Sequence, residues 1–316
     1  MLRTALIHLG ENQLARRIAT HAPGARTLTR RFVAGETVDD GVHATRALNE
    51  ASLSVTLDYL GEAVSEGKDA EAAVLTYVRV LERIAAEGLD ANVSLKLTQM
   101  GQDIDPSFLR DNVGRVLDLA RSHDLFVRFD MESSAYTQAT LDFFHGIWQE
   151  GYRNAGVALQ ACLFRSEQDV GFANGLGARV RLCKGAYKEP AAVAHQAKAN
   201  VDANFVALMR LLLEGGRYPA IATHDEAVIR ATTAFANERG IPSSAFEFQM
   251  LYGVRRDLQH QLRAQGYNVR LYVPFGEAWY PYLMRRMAER PANLAFFLNA
   301  LGAESPLRFL HRRKDK

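Results

Sequence analysis

Residues 179–187 read Arg-Val-Arg-Leu-Cys-Lys-Gly-Ala-Tyr. The run is short, rich in β-forming and apolar residues between its charges, and it stops at Lys184-Gly185, as a strand does where it meets a turn. A charge in a strand is costly to bury unless it is paired. Arg181 and Lys184 therefore need either partners or a task. A lysine followed by glycine at a strand end suits close backbone approach to an anionic or planar ligand.

Seven further runs have the same character, at residues 54–60, 93–98, 126–131, 157–163, 220–223, 246–251 and 269–273. Helical patterns lie between them, at residues 70–87, 106–122, 137–150, 201–213, 226–239 and 255–265. Gly88, Gly151 and Gly266 stand where helix stops are expected. Asp105-Pro106 and Asp225-Glu226 read as helix starts, with an acidic cap and, in the first case, Pro in the first turn. Eight strand–helix units predict an α/β fold, a (β/α)8 TIM-like barrel, with a doubly wound open sheet as the alternative. A chain of 316 residues suits one such barrel. Residues 1–50 precede the first strand and read as an N-terminal helical arm; residues 51–316 then make the barrel. The glycine-rich run 171–177 is read as a helix-to-strand turn, because it lacks the preceding strand and following Lys-Ser/Thr of a phosphate loop.

Chemistry in such a barrel sits at the carboxyl ends of the strands. Nearly every run carries polar residues there. Examples are Lys96 and Gln99, then Arg128, Asp130 and Glu132, then Gln160. The series continues through Arg181 and Lys184, Thr223-His224-Asp225, Glu247 and Gln249, and Arg270 and Tyr272. Lys96, Asp130 and Arg181 could form a structural ion-pair layer, but recurrence on consecutive strands favours a site. A lyase or aldolase using Lys96 or Lys184 as a Schiff base is a rival use of the same barrel. Of nine histidines only His224 stands at a strand end, so no metal site is expected.

Bulk properties narrow the classes. With 38 basic and 36 acidic residues the net charge is +2, which gives no support for nucleic-acid binding. The amino-terminal apolar stretch is too short and interrupted for a signal peptide, and no window reaches 18 uncharged apolar residues. A soluble, cytoplasmic protein is expected, with peripheral contact to the inner face of a membrane left open. Cys162 and Cys183 each lie in an apolar run and read as reduced, buried thiols.

The carboxyl-terminal segment Arg270-Leu-Tyr-Val-Pro-Phe-Gly276 leads into a helix bearing Tyr282, Arg285, Arg286 and Glu289. Spacings of three and four put these four on one broad face. Paired guanidinium groups are the preferred partners of a carboxylate, and Glu289 could receive an ammonium.

This segment resembles the signature of the proline dehydrogenase family. The same family is resembled by Val93-Ser-Leu-Lys-Leu-Thr98, Arg128-Phe-Asp-Met-Glu132, residues 179–187, Ala222-Thr-His-Asp225 and Glu247-Phe-Gln-Met-Leu-Tyr-Gly253. The match runs in order over roughly residues 50 to 300, and is similar to the monofunctional bacterial type and to the proline dehydrogenase domain of proline utilisation A. Neither a ribbon-helix-helix region nor an aldehyde dehydrogenase domain is expected. The resemblance implies FAD-dependent oxidation of L-proline to Δ1-pyrroline-5-carboxylate, with electrons passed to a quinone-type acceptor. It implies that Lys96, Tyr272, Tyr282, Arg285, Arg286 and Glu289 line the proline pocket, with the two arginines on the carboxylate. It implies a flavin site at Met131, Gln160, Arg181, Lys184, Gly185, Ala186, Tyr187, Thr223 and His224. Asp130 and Arg181 would be the catalytic pair, Asp130 orienting a neighbouring polar group and Arg181 stabilising reduced-flavin charge. No residue is assigned as general base, and a homo-oligomer is left open.

Overall fold

A computed structural model describes residues 30–61 and 63–289, with the side chains of residues 285–289 outside that set. Eight strands pair in parallel, each with the next: β1 (Ser54–Tyr59), β2 (Ala91–Leu95), β3 (Val127–Phe129), β4 (Ala155–Gln160), β5 (Arg179–Cys183), β6 (Ala220–Ala222), β7 (Glu247–Leu251) and β8 (Asn268–Phe275). The last strand returns to the first, in register from Ser54 opposite Arg270 to Tyr59 opposite Phe275. The ring is closed and has no edge, which excludes the open sheet.

Helices α2 (Gly67–Ala86), α3 (Pro106–Ser122), α4 (Ser134–Gln149), α5 (Ser166–Leu176), α6 (Lys198–Gly215), α7 (Glu226–Glu238) and α8 (Arg256–Ala264) form the crossovers. In α2, Ala70, Ala73, Val74, Tyr77, Val80, Leu81 and Ile84 are buried, a stripe at spacings of three and four that faces the barrel. Asp105 caps α3 by accepting from the backbone N–H of Ser107 and Phe108, both at 2.9 Å. Gly88, Gly151 and Gly266 end their helices in the left-handed region, at φ +61°, +95° and +87°. One expectation is corrected. Residues 171–177 are not a turn: α5 runs through Gly171 and Gly175, and only Gly177, at φ +67°, breaks it. Burial of Val170 and Ala173 overrides the low helix propensity of glycine.

A preceding helix, α1 (Val38–Glu50), belongs to the stretch expected as an arm, whose residues 1–29 lie outside the described set. It packs over the β1–β8 seam, where a Cβ on Gly41 would come within 3.3 Å of Leu57 and Phe275. The helix after β8, α9 (Trp279–Glu289), instead packs with Phe32, Val33, Leu60 and Val254, over the carboxyl ends of β1 and β7.

Alternation sorts each strand into two faces. Val55 and Leu57, Val93 and Leu95, Val180 and Leu182, Phe248 and Met250 pack outward in the main apolar core. The intervening residues face the barrel interior, where apolar layers are usual. Here the interior is polar along its length, and this corrects the expectation that the charges gather at the carboxyl ends. Arg128, Arg179, Glu247 and Arg270 lie at or near the strand starts. Arg270 pairs with Glu247 at 3.0 Å, and Arg128, fully buried, donates to the carbonyl of Arg179 at 2.8 Å. Gly156 makes room there, since a Cβ would collide with that carbonyl and with the ring of Phe126.

Candidate active site

Asp130, just beyond β3, is the hub of the upper tier. It accepts from Ser94 Oγ at 2.5 Å, Tyr272 Oη at 2.6 Å and Arg181 Nη1 at 2.6 Å. These partners come from β2, β8 and β5, so they meet only through the barrel interior. Lys96 Nζ stands 3.7 Å from Asp130 and 3.0 Å from Asp58 on β1. Arg181 donates from Nε to Gln249 Oε1 at 2.5 Å, and its guanidinium lies 5.1 Å from the centre of the Tyr272 ring. Its Nη2 is buried and has no hydrogen-bond partner among the described residues.

Burial alone would raise Asp130; Arg181, Lys96 and the Ser94 and Tyr272 hydrogen bonds outweigh it and hold the carboxyl below its ordinary value. Asp58 goes the other way. Burial lifts it against the pull of Lys96, and the Asp130 charge adds to the rise. Burial, then Asp130, push the Tyr272 phenol well above 10.0, so it stays a donor.

These groups line a cavity of about 720 Å³ at the carboxyl ends of the strands, with Met131, Cys183 and Tyr282 also in its wall. Its rim is a chain of ion pairs. Lys184 binds Asp225 at 2.9 Å and also Asp202, which Lys198 shares; Arg255 binds Glu226 at 2.8 Å. Gly185 sits at φ +108°, and a Cβ there would collide with Cys162 Sγ. His224 accepts the Leu251 backbone N–H at Nε2, 2.9 Å, which assigns the proton of a neutral ring to Nδ1. Both cysteines are free, Cys162 buried and Cys183 half-buried.

Of the residues singled out in the sequence, Lys96, Asp130, Met131, Arg181, Lys184, Gly185, Ala186, Tyr187, Thr223, His224, Tyr272 and Tyr282 are brought together on this cavity. Gln160 is not in its wall; its amide turns back to the carbonyl of Glu132 at 2.8 Å. The backbone of α9 carries residues 285, 286 and 289 on the side of Tyr282, but the side chains of Arg285, Arg286 and Glu289 lie outside the described residues. Sequence reasoning passed over Asp58, and it noted Gln249 without a role. Both signals were present: a lone acid in the apolar run 54–60, and an amide two residues from a buried Glu247. Among the described residues no three His, Cys, Asp or Glu side chains are grouped to hold a metal.

A parallel barrel with a charged, polar cavity at its carboxyl end defines a barrel enzyme acting on a small polar substrate. Within that class, residues 42–299 match the proline dehydrogenase family, and the chain belongs to it. It is 40% identical to proline dehydrogenase 1 of Bacillus subtilis over 95% of this chain and 99% of that one. It is 39% identical to the proline dehydrogenase of Deinococcus radiodurans over 87% and 90%. Among solved structures, proline utilization A from Bdellovibrio bacteriovorus, inactivated by N-propargylglycine, superposes with a TM-score of 0.79 at 27% identity over 87% of this chain. The match covers 34% of that longer protein. The chain is thus an oxidoreductase of proline catabolism.

Proposed function

We propose that the chain oxidises L-proline to Δ1-pyrroline-5-carboxylate with a bound flavin, FAD, and passes the electrons to a quinone-type acceptor. The observation that carries the reading is Arg181: a buried guanidinium on the cavity wall, locked in place through two of its nitrogens. The residues fit a flavin. The cavity, about 720 Å³, has room for a large planar group, Gly185 offers bare backbone, and Lys184, Lys198 and Arg255 at the rim would hold a dinucleotide's phosphates. A bound flavin supplies the two-electron acceptor that no side chain provides.

The chain's own residues do the rest. Oxidation of the ring C–N bond to C=N removes a proton from nitrogen and a hydride from the adjacent carbon. Arg285 and Arg286 clamp the carboxylate, and Lys96 and Arg181 add positive charge around it. Fixing the ring supplies the proximity on which the rate depends. The His224 Nε2 lone pair is occupied by the Leu251 N–H, so that atom does not take the substrate proton. The lysine-aldolase reading loses its support: the chain belongs to the proline dehydrogenase family, and Lys96 and Lys184 are both held by carboxylates. Electrons would reach a membrane quinone by peripheral contact; among the described residues no helix is long and apolar enough to cross a membrane. The basic tail Arg312-Arg-Lys-Asp-Lys316, a candidate for that contact, lies outside the described residues.

The purified protein should be yellow, and proline should bleach its flavin absorbance. Arg285→Ala or Arg286→Ala should weaken proline use while flavin stays bound. A protein that stays colourless after flavin reconstitution would sink the reading.

A further inference from the structure

We infer that Gln249, held by Glu247, is a positioning residue that sets the direction in which Arg181 faces the cavity. The inference rests on the flavoenzyme reading above. A glutamine amide has two ends of nearly equal shape, and its partners decide which way it points. Gln249 Nε2 donates to Glu247 Oε1 at 2.5 Å. A carboxylate only accepts, so Oε1 must face the other way, and there it receives Arg181 Nε at 2.5 Å. A flipped amide would set N–H against N–H, since arginine has no acceptor. Glu247 is itself pinned by Arg270, whose Nε lies 3.0 Å from Oε2 and whose Nη1 is anchored on the Val55 carbonyl at 2.7 Å. Burial would raise Glu247, but Arg270, the Gln249 hydrogen bond and Arg128 together outweigh it and hold the carboxyl below its ordinary value.

The relay therefore runs up the barrel axis. Charge at the foot orients an amide; the amide orients a guanidinium at the mouth. Asp130 and Ser94 hold Nη1, at 2.6 and 3.2 Å. One held nitrogen would let the fork swing about it. Two held nitrogens fix its plane, and with it the edge that the guanidinium turns to the cavity. Gln249 itself is 3% exposed and lines the cavity, so its partners are those of the site and not of the surface.

The test is a double-mutant cycle on the flavin-loaded protein. Gln249→Met keeps the bulk and removes the acceptor. Arg181→Lys keeps the charge and removes Nε. For each single variant and the pair, the readouts are thermal unfolding, flavin content, the reduction potential of the bound flavin, and kcat and KM for proline. Q249M should retain flavin and unfold cooperatively, lower the potential, and reduce kcat by about 10- to 100-fold, the scale of a misplaced group. Added to R181K, it should change kcat by less than about twofold, because its target is already gone. A wild-type potential and kcat in Q249M overturn the inference, and so do independent, multiplying effects in the pair. A wild-type protein that takes up no flavin overturns the flavoenzyme reading and the inference with it.

Discussion

Tyr272 on the eighth strand donates to Oδ2 of Asp130, beyond the third, at 2.6 Å. The two strands are not neighbours, so this bond spans the barrel just below the cavity. The raised phenol keeps it intact across the neutral and mildly alkaline range. Tyr272→Phe removes the donor and frees one oxygen of Asp130. A hydrogen bond to a charged group contributes about 1.5–3 kcal/mol. The expected result is a fall in kcat/KM of about tenfold or more, with unfolding still cooperative. Steady-state kinetics decide it, and an unchanged value would mean that the bond is idle in catalysis.

Gly185→Ala should damage the site by two routes. Its φ of +108° is foreign to alanine, at a cost of about 1–2 kcal/mol. The new methyl also meets Cys162 Sγ. A lower melting temperature and a lower flavin-to-protein ratio are expected. Adding Cys162→Ala should recover part of the loss, since it removes the collision but not the backbone strain. Full recovery would show that the conformation costs nothing.

The two thiols should be silent in the folded protein. Burial pushes Cys162 up to about 11 and Cys183 to about 12. At pH 8 the thiolate is then about one part in a thousand or less, and only thiolate reacts readily. Iodoacetamide at pH 8 should label both cysteines in urea and neither in the native protein, as read by intact mass. Rapid native labelling would contradict the burial.

The rim pairs predict an acid limit. The Lys184 hydrogen bond leads in holding Asp225 below 3.8; at Asp202 burial works upward, and Lys184 and Lys198 outweigh it. A depressed carboxylate stabilises the fold above its unfolded pKa and stops doing so as pH falls through its folded pKa. The stability difference between wild type and Lys184→Met should therefore be present at about pH 6 and close below 3.8. Denaturant unfolding at several pH values measures it. A difference that persists at acid pH would show that Lys184 acts by packing alone.

The eight strands were legible because each carries a period of two and most crossovers are marked by a capping acid or a stopping glycine. Asp105 and Gly151 do in the structure what their residue types suggest. The helix α5 was hidden by Gly171 and Gly175, whose low propensity is overruled by burial of Val170 and Ala173. Much of the site was visible as polar residues at strand ends. What stayed hidden was depth. Strand sequences do not reveal that Arg181 of β5 and Gln249 of β7 stand at one level, because that depends on stagger around the ring. Gln249 gained its role only when the closed ring set β7 two strands from β5, with a glutamate one inward step below it.

Closure of the ring sets the order in which the molecule can be made. Arg270 reaches the carbonyl of Val55 across 215 residues of sequence, so the seam forms only after nearly the whole barrel has left the ribosome. Long-range pairing of this kind is slow and leaves unfinished edges waiting. An ordinary half-built barrel would show water an apolar lining. This one would show arginines, carboxylates and amides, which water solvates well, so the polar lining that serves the finished enzyme also keeps its unfinished precursor wet.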